Sequence, residues 1–334
     1  MKIVLGMSGG VDSSVAAMLL KDAGHEVHGV YLDIGAASEA EAAQNVADAL
    51  SIPLIVVDIR RELEERVCAP FVRAYLRGET PNPCVLCNPN VKFRALMEFA
   101  DEIGASKIAT GHYARVIGEG ESAQLFVGSK NDQSYMLCRI TRGQLGRLLL
   151  PLGDYDKSQV RELARTVGLT SADKPDSMEI CFIPDGDYAA YIESRDEVPP
   201  EGDFIDADGN VLGRHGGIHR YTIGQSRGLG IALGQRMFIT DIRRETNAIV
   251  LSPSGAVTET VTAGEFQYMT EDLPPIVNVR FRHTKTMASA TAAYDGDRVL
   301  ISLDTPGRVA APGQAAALYS LTGQVLGGGI VSSS

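Results

Sequence analysis

Short apolar runs alternate with longer helical patterns through the first 110 residues of the chain. The predicted strands cover residues 3–7, 26–34, 54–59 and 107–110. The predicted helices begin after residue 10 and near residues 38, 61 and 92. Strands that alternate with helices indicate a parallel sheet, whose ligands bind at the carboxyl ends of the strands. We therefore predict an α/β N-terminal domain.

The pattern changes near Pro199. Short alternating strands and turn dipeptides such as Asp208-Gly209 fill the remaining sequence, and a break at residues 252–255 precedes about six further short strands. Such strands are typical of a small β-barrel. We predict an α/β catalytic domain at residues 1–196, a small mostly-β central domain at 197–255 and a C-terminal β-barrel at 256–334.

Two local patterns refine the N-terminal domain. Three prolines in residues 78–89 predict an exposed functional loop without regular structure. Helical patterns follow at about residues 133–149 and after Asp156, where Gln159 completes a capping box and Gly168 ends the helix.

Composition adds limits on the class of protein. A chain of 334 residues with 44% hydrophobic residues is long enough for two or three domains with cores. No apolar run reaches the roughly eighteen residues that a membrane span needs, and we expect a cytoplasmic protein without a membrane partner. Five cysteines in a reducing compartment favour metal binding or catalysis over structural disulfides.

The net charge of −11 argues against nucleic-acid binding when it is taken alone. The charge is uneven, however, because residues 209–240 and 276–293 contain basic residues and no Asp or Glu. The first stretch holds four arginines with His215 and His219, and the second holds Arg280, Arg282 and Lys285. These stretches are either RNA-binding surfaces or ordinary solvated strands.

The segment SGGVDSS at residues 8–14 separates the first strand from the first helix. Paired glycines let backbone amides approach a ligand, and the helix amino end adds partial positive charge, so this turn is suited to an anion. It lacks the Gly-Lys of a Walker loop, so no lysine of the loop reaches a terminal phosphate. Asp12 is placed to hold a magnesium ion.

The cysteines suggest a second chemical site. Cys84 and Cys87 are compatible with half a zinc site, a redox pair or part of an iron–sulfur site, and Cys181 is the nearest third thiol in the same domain. Positive charge from Lys174 or from loop arginines would lower the thiol pKa and make it nucleophilic. Cys68 and Cys138 lie in apolar helical surroundings, and we expect them to be buried and inert.

The loop at residues 8–14 resembles the pyrophosphate loop of ATP pyrophosphatases, which implies an adenine nucleotide alpha hydrolase-like fold. Further motifs extend the resemblance over nearly the whole chain, and in order and spacing they are similar to those of the tRNA-specific 2-thiouridylases. These motifs are TPNPCVLCN, GHYAR, NDQSYML, KPDSMEICF, YTIGQSRGLGI, PGQ and LGGGI.

The resemblance implies that the central domain, residues 197–255, and the C-terminal β-barrel, residues 256–334, bind tRNA. It also implies a role for individual residues. ATP would be bound by Gly6, Met7, Ser8, Gly9, Gly10, Val11, Asp12, Ser13, Leu32 and Gly111. Cys87 would be the nucleophile, and Cys181 would carry a persulfide and form a disulfide with Cys87 after turnover. The target base would lie among Asn82, Pro83 and Cys84. Positions matching tRNA contacts are His112, Asn131, Asp132, Gln133, Arg280, Phe281 and Gln314.

The implied reaction replaces a uracil oxygen by sulfur at the wobble uridine, position 34, of tRNAs for Lys, Glu and Gln. The base leaves its stack, its carbonyl oxygen attacks the α-phosphorus of ATP, and sulfur then displaces AMP. A persulfide-donor carrier protein would be a partner, magnesium would assist, and a monomer is the simplest assembly.

The chain departs from the family pattern at three positions. Asn131 stands where Lys is usual, Phe281 where Tyr is usual, and Cys84 where many members have Asp. With Cys84, Cys87 and Cys181 the chain has enough thiols for a 4Fe-4S cluster. The sequence leaves open the cluster mechanism and the persulfide mechanism. The competing functions are an amidating synthetase with the same loop and a non-catalytic, metal-containing RNA-binding protein.

Overall fold

The computed structural model describes residues 1–35, 37–166, 168–169, 180–282, 284 and 286–332. The N-terminal domain contains a five-stranded parallel sheet with the order β3-β2-β1-β4-β7, beside a separate hairpin of β5 and β6. Its strands are β1 (Lys2–Gly6), β2 (Glu26–Asp33), β3 (Leu54–Asp58), β4 (Lys107–Ala109), β5 (Ala114–Ile117), β6 (Gln124–Val127) and β7 (Leu148–Leu149).

The strand order reverses between β1 and β4, because β2 and β3 extend the sheet on one side of β1 and β4 lies on the other. Ligands of open parallel sheets bind at such a reversal, beyond the carboxyl ends of the strands. The helices are α1 (Val11–Asp22), α2 (Ala37–Ala49), α3 (Arg60–Leu63), α4 (Ala69–Leu76), α5 (Pro83–Cys87), α6 (Phe93–Glu102), α7 (Arg142–Arg147), α8 (Lys157–Thr166) and α9 (Tyr188–Glu193). In the described ranges, no helix combines the length and the apolar character needed to cross a membrane.

The segment at residues 78–89 differs from the predicted exposed, irregular loop. It contains α5, which continues through a π-helical turn at Asn88–Lys92 into α6. Proline is tolerated in the first turn of a helix, and both Pro83 and Pro89 lie in the first turns of these two segments. Pro83 is buried and begins a packed helix, so the prediction is wrong for residues 83–89, whereas residues 78–82 have no regular structure, as predicted.

Other local predictions are confirmed. Asp156 and Gln159 form the reciprocal capping box of α8, with N–H to side-chain oxygen distances of 2.8 and 3.0 Å. Gly168 has a φ of 72° and follows α8. The helix predicted near residues 133–149 is confirmed only in part, because a short 3₁₀ turn and α7 are separated by non-helical residues and are followed by the edge strand β7. Cys68 and Cys138 are buried, with 3% and 0% of their surface exposed.

Two β domains follow. The central sheet has the order β10-β11-β8-β9, and the last six strands close a barrel in the order β12-β15-β14-β13-β16-β17. These strands are β8 (Gly202–Ile205), β9 (Val211–His215), β10 (Phe238–Arg243), β11 (Ala248–Ser252), β12 (Val257–Tyr268), β13 (Ile276–Arg280), β14 (Ala288–Asp295), β15 (Arg298–Arg308), β16 (Ala315–Tyr319) and β17 (Val325–Val331). The predicted fold class, an α/β domain followed by a mostly-β domain and a β-barrel, is confirmed.

Candidate active site

The loop between β1 and α1 is held in shape by its own side chains. The Ser13 hydroxyl accepts the Ser8 N–H at 3.2 Å and donates to the Gly10 carbonyl at 3.1 Å. Gly9 has a φ of 73°, and a Cβ there would lie 2.7 Å from the backbone nitrogen of Ala43 in α2. Glycine is therefore required at this turn, and the loop backbone stays close to the amino end of α1, where an anion is favoured.

The apolar members of the predicted ATP loop face the core. Met7 and Val11 are 2% and 5% exposed, and a Cβ on Gly6 would lie 3.3 Å from the Leu96 side chain. Leu32 is partly buried at the end of β2. These residues can offer a nucleotide only backbone groups or an apolar contact.

Asp12 is held by two side chains from distant parts of the sequence. The Lys157 ammonium donates to its two oxygens at 2.8 and 2.6 Å, and the Tyr113 hydroxyl donates to Oδ1 at 2.5 Å. Lys157 is the first residue of α8. The loop itself has no lysine, but the fold brings one to it.

The donor set of this loop fits magnesium that arrives with a nucleotide. Magnesium is usually bound by one or two carboxylates together with substrate phosphates and water. Asp12 supplies one carboxylate with 30% of its side chain exposed, beside the loop that would hold the phosphates. Lys157 would then exchange its carboxylate partner for a phosphate oxygen.

Gly111 and His112 connect this loop to the rest of the site. A Cβ on Gly111 would lie 2.9 Å from the Asp12 carbonyl carbon, so the segment after β4 touches the start of α1. His112 Nδ1 lies 2.8 Å from the Thr110 hydroxyl, and its ring packs edge-on against Phe93 with centroids 6.1 Å apart. Burial, with a smaller contribution from Lys92, lowers the pKa of His112 to about 3, so the ring is neutral near pH 7.

The cysteine segment begins at a capped helix. The Asn82 side chain accepts the Cys84 N–H at 3.1 Å and so caps α5. Cys84 is exposed and Cys87 is half-buried. Cys87 packs into an apolar cluster with Phe182, the neighbour of the exposed Cys181. The fold thus brings the Cys84 and Cys87 segment next to the Cys181 segment.

The acidity of these thiols differs from the sequence-based expectation. Although Cys84 and Cys181 reach solvent, the protein around them desolvates the thiolate form, which raises the pKa of Cys84 and Cys87 and raises that of Cys181 to about 11. The cation that opposes this effect is Lys92, and not a loop arginine. The predicted contribution of Lys174 lies outside the described residues. The expected lowered thiol pKa is therefore wrong for this structure.

The three thiols do not fit a preassembled iron–sulfur or zinc site. Within the described part of the chain, no three Cys, His, Asp or Glu side chains are grouped closely enough to hold a metal ion. A cluster needs its cysteines at fixed distances from the iron atoms. The structure therefore supports no reaction step through a cluster.

Most of the residues predicted to contact tRNA lie where the N-terminal domain meets the barrel. The buried Tyr135 hydroxyl lies 3.1 Å from the Ala315 carbonyl, 3.2 Å from the Phe281 carbonyl and 3.4 Å from Gln314 Oε1. Gln133 accepts the Tyr113 N–H at 3.1 Å. The Gln314 side chain and the Phe281 backbone therefore contribute to the junction, whereas the Gln133 side chain acts within the N-terminal domain.

Asp132 and Arg280 form a buried ion pair across the same junction. Their side chains are 11% and 6% exposed, and the Arg280 guanidinium lies 5.0 Å from the centre of the Tyr319 ring. Asp132 also accepts the N–H groups of Gly128 and Ser134 at 2.8 and 3.0 Å. In this conformation Arg280 is not an exposed phosphate ligand. Asn131 is exposed, and its Oδ1 accepts the Lys157 N–H at 3.1 Å.

Comparison with known proteins finds matches over nearly the whole chain. Residues 1–185 match a family model described as the tRNA methyl transferase HUP domain, 190–253 its PRC-barrel domain and 258–331 an aminomethyltransferase beta-barrel domain. A tRNA-specific 2-thiouridylase MnmA from Lachnoclostridium phytofermentans is 40% identical over 99% of both chains. The protein of that name from Carboxydothermus hydrogenoformans is 41% identical over 99% of this chain and 97% of its own.

This chain belongs to the tRNA-specific 2-thiouridylase family. The family prediction is confirmed, and with it the assignment to a group of tRNA sulfurtransferase enzymes. Among solved structures, a 4-thiouridine synthetase–RNA complex with bound ATP covers 58% of this chain and 50% of its own at 20% identity, with a TM-score of 0.38. An NMN synthetase from Francisella tularensis covers 52% and 66% at 20% identity, with a TM-score of 0.36.

Sequence reasoning missed two cations of this 2-thiouridylase. The link between Lys157 and Asp12 was missed, although the position of Lys157 directly after the cap residue Asp156 was a usable signal. Lys92 was assigned only to a helix start, yet its charge acts on His112 and on all three candidate thiols. Each lysine lies near groups whose negative charge it stabilises: Lys157 near Asp12, and Lys92 near the thiols.

Proposed function

We propose that this chain catalyses the ATP-dependent 2-thiolation of the wobble uridine, position 34, in tRNAs for Lys, Glu and Gln. Membership of the 2-thiouridylase family supports the reaction class. The observation that carries the proposal is the continuity of the site. Gly111 touches Asp12, the adjacent His112 packs on Phe93, and Phe93 follows Lys92 beside the thiols.

The first step takes place at the loop. ATP binds with its phosphates on the loop backbone and the amino end of α1, and magnesium held by Asp12 would neutralise the leaving pyrophosphate. Uridine O2 attacks the α-phosphorus, the bond to the β-phosphate oxygen breaks, and pyrophosphate leaves. Lys157, which lies beside the loop in its ion pair with Asp12, turns to a phosphate oxygen when magnesium takes its place on Asp12, and it stabilises the developing negative charge.

The second step takes place at the cysteines. A carrier protein charges Cys181 with a persulfide, whose outer sulfur attacks C2 of the uridine, and AMP leaves with the former O2. The Cys87 thiolate attacks the inner sulfur of Cys181, which forms a Cys87–Cys181 disulfide and leaves the outer sulfur on C2. A cellular thiol reductant then restores both cysteines. Lys92 stabilises the thiolate forms.

The remaining assignments follow from the same site. Asn82, Pro83 and Cys84 surround the extruded base, and the neutral His112 offers its free ring nitrogen to the RNA. A single copy of the chain supplies every group named here, so we propose that a monomer is active.

The test uses iron-free protein, ATP, magnesium and an unmodified transcript of tRNA for Glu. The proposal expects pyrophosphate release that depends on tRNA, and 2-thiouridine at position 34 when a persulfide donor is added. A transcript with cytidine at position 34 is the matched control and should be inert. Absence of tRNA-dependent pyrophosphate release from folded protein would contradict the proposal.

A further inference from the structure

Residues 131–135, which we call the bridging segment, are fixed on one side by the barrel. Ser134 and Tyr135 are both 0% exposed. The Ser134 hydroxyl lies 3.3 Å from the Tyr319 hydroxyl, and the Tyr135 hydroxyl donates to the Ala315 carbonyl at 3.1 Å. The two buried residues therefore give the segment a firm attachment to the barrel.

The other side of the bridging segment holds Tyr113 through two hydrogen bonds from Gln133. The Gln133 N–H donates to the Tyr113 carbonyl at 2.7 Å, and the Gln133 side-chain oxygen accepts the Tyr113 N–H at 3.1 Å. Tyr113 is 2% exposed, so its N–H needs an acceptor within the protein. The Gln133 side chain supplies that acceptor, and losing it would favour a shift of the Tyr113 backbone.

Tyr113 in turn contacts both charged groups beside the nucleotide loop. Its hydroxyl donates to Asp12 Oδ1 at 2.5 Å, and the Lys157 ammonium lies 5.7 Å from the centre of its ring. Lys157 is also reached directly by the bridging segment, because Asn131 Oδ1 accepts the Lys157 N–H at 3.1 Å. Three consecutive residues therefore include contacts to Tyr113 and to Lys157, which both donate to Asp12.

Such outer contacts matter for a carboxylate that binds a metal ion. The hydrogen-bond partners of a metal ligand orient it, and losing one of them typically costs 10–100-fold in metal affinity or activity. In this structure the Tyr113 hydroxyl is such a partner of Asp12, and the position of that hydroxyl depends on Gln133. The oxygen of the Gln133 side chain is thus occupied inside the N-terminal domain.

We infer that Gln133 is a positioning residue for the ATP-dependent step, because it holds Tyr113 where the tyrosine hydroxyl orients Asp12 for the magnesium ion of the nucleotide. This inference rests on the proposed function, which places magnesium at Asp12. Gln133 makes and breaks no covalent bond in this role. A contact between Gln133 and RNA would have different consequences, and the experiment separates the two roles.

The experiment is isothermal titration calorimetry of ATP with the full chain at increasing MgCl₂, without RNA. Gln133→Met should raise the magnesium concentration needed for half-maximal ATP binding by about tenfold. Gln133→Glu keeps an acceptor for the Tyr113 N–H and should recover this value to within about threefold of the wild type. Gln124→Met makes the same chemical change at an exposed position of β6 and should match the wild type.

A double-mutant cycle tests whether Gln133 acts through Tyr113. Tyr113→Phe removes the hydroxyl that contacts Asp12 and should shift the magnesium dependence as much as Gln133→Met does. The double variant should be no worse than the more impaired single variant, because the two residues act in series. The KM for a tRNA transcript for Glu should change by less than about twofold in Gln133→Met.

Unchanged magnesium dependence in folded Gln133→Met, with a raised KM for tRNA, would make Gln133 an RNA contact and overturn the inference. Additive losses in the double variant, an equal loss in Gln133→Glu, or wild-type ATP binding that is independent of magnesium would overturn it as well. If Gln133→Met does not fold, Gln133→Asn, which is polar but one methylene shorter, should show the same shift. A wild type without tRNA-dependent pyrophosphate release would contradict the proposed function, whereas the titration without RNA would still decide the role of Gln133.

Discussion

The nucleotide loop and the cysteine site are connected through packed residues, Gly111, His112 and Phe93, but are prepared very differently. At the loop, the charge of Asp12 is matched by Lys157, the turn is held by Ser13, and Tyr113 completes the contacts. At the cysteine site, all three thiols have raised pKa values and no metal-binding arrangement exists among the described residues. The side chains of the loop are already held in place, whereas the raised pKa of the thiols leaves them mostly protonated, and our proposal therefore has a carrier protein deliver the sulfur.

The largest expected effect comes from removing the sulfur-handling thiols. Cys87→Ser or Cys181→Ser should reduce tRNA thiolation by at least about a thousandfold, because each removes a covalent step. Gel retardation of thiolated tRNA measures the product. Cys84→Ser is the matched control and should retain most activity, and an equally severe loss in Cys84→Ser would favour the three-cysteine cluster and contradict the persulfide mechanism.

The contacts that hold Asp12 in the loop extend to Arg280 in the barrel, where a substitution can disrupt them. Asp132 pairs with Arg280, and the next residue, Gln133, holds Tyr113, which in turn holds Asp12. Arg280→Met removes the cation that faces the buried Asp132 carboxylate and should reduce the free energy of unfolding by about 3–5 kcal/mol in urea titrations. Arg298→Met, at an exposed position, should change it by less than about 0.5 kcal/mol. Equal stability of the two variants would show that the ion pair between Asp132 and Arg280 does not stabilise the fold.

The charge exchange at the loop can be tested through Lys157. Lys157→Met should slow pyrophosphate release about a hundredfold, because a preorganised cation is lost from the developing negative charge. Lys130→Met removes a nearby exposed lysine that pairs with Asp156, and this control should keep the wild-type rate. A normal rate in Lys157→Met would show that its ion pair with Asp12 is only structural.

The effect that needs no substitution is the pH dependence of the thiols. A thiol is uncharged below its pKa, and burial raises that of Cys181 to about 11, so its reactive thiolate fraction should grow about tenfold per pH unit from pH 7 to 10. Mass spectrometry of iodoacetamide labelling measures this rate. In the urea-unfolded chain the rate should level off near pH 9, and levelling at the same pH in the folded protein would contradict the raised pKa.

Local patterns predicted the architecture well. The alternation of apolar runs and helical periods gives the parallel sheet, the capping box at Asp156 gives the start of α8, and the later short strands give the barrel. The prediction of an irregular loop holds for residues 78–82 but is wrong for residues 83–89, because Pro83 occupies the first turn after the Asn82 cap and does not break the helix. A proline predicts the end of a helix only where it would lie in the helix interior, because the first turn of a helix tolerates it.

The contacts that complete the site join residues that are far apart in the sequence. Lys157 and Asp12 are 145 residues apart, and Arg280 and Asp132 are 148 apart. No periodicity or local motif pairs such residues, because sheet order and domain packing decide which side chains meet. The family resemblance supplied residue roles, but it did not show that Arg280 is buried or that the thiols are weakly acidic.

The most direct test of the contrast between the two regions is a single turnover with Cys181→Ser, ATP and a tRNA transcript for Glu. We predict about one equivalent of pyrophosphate per enzyme at the wild-type rate, with no 2-thiouridine, because the nucleotide loop works before the cysteine acts. Absence of the pyrophosphate burst in folded Cys181→Ser protein would contradict this account, since it would make sulfur delivery a condition for adenylation.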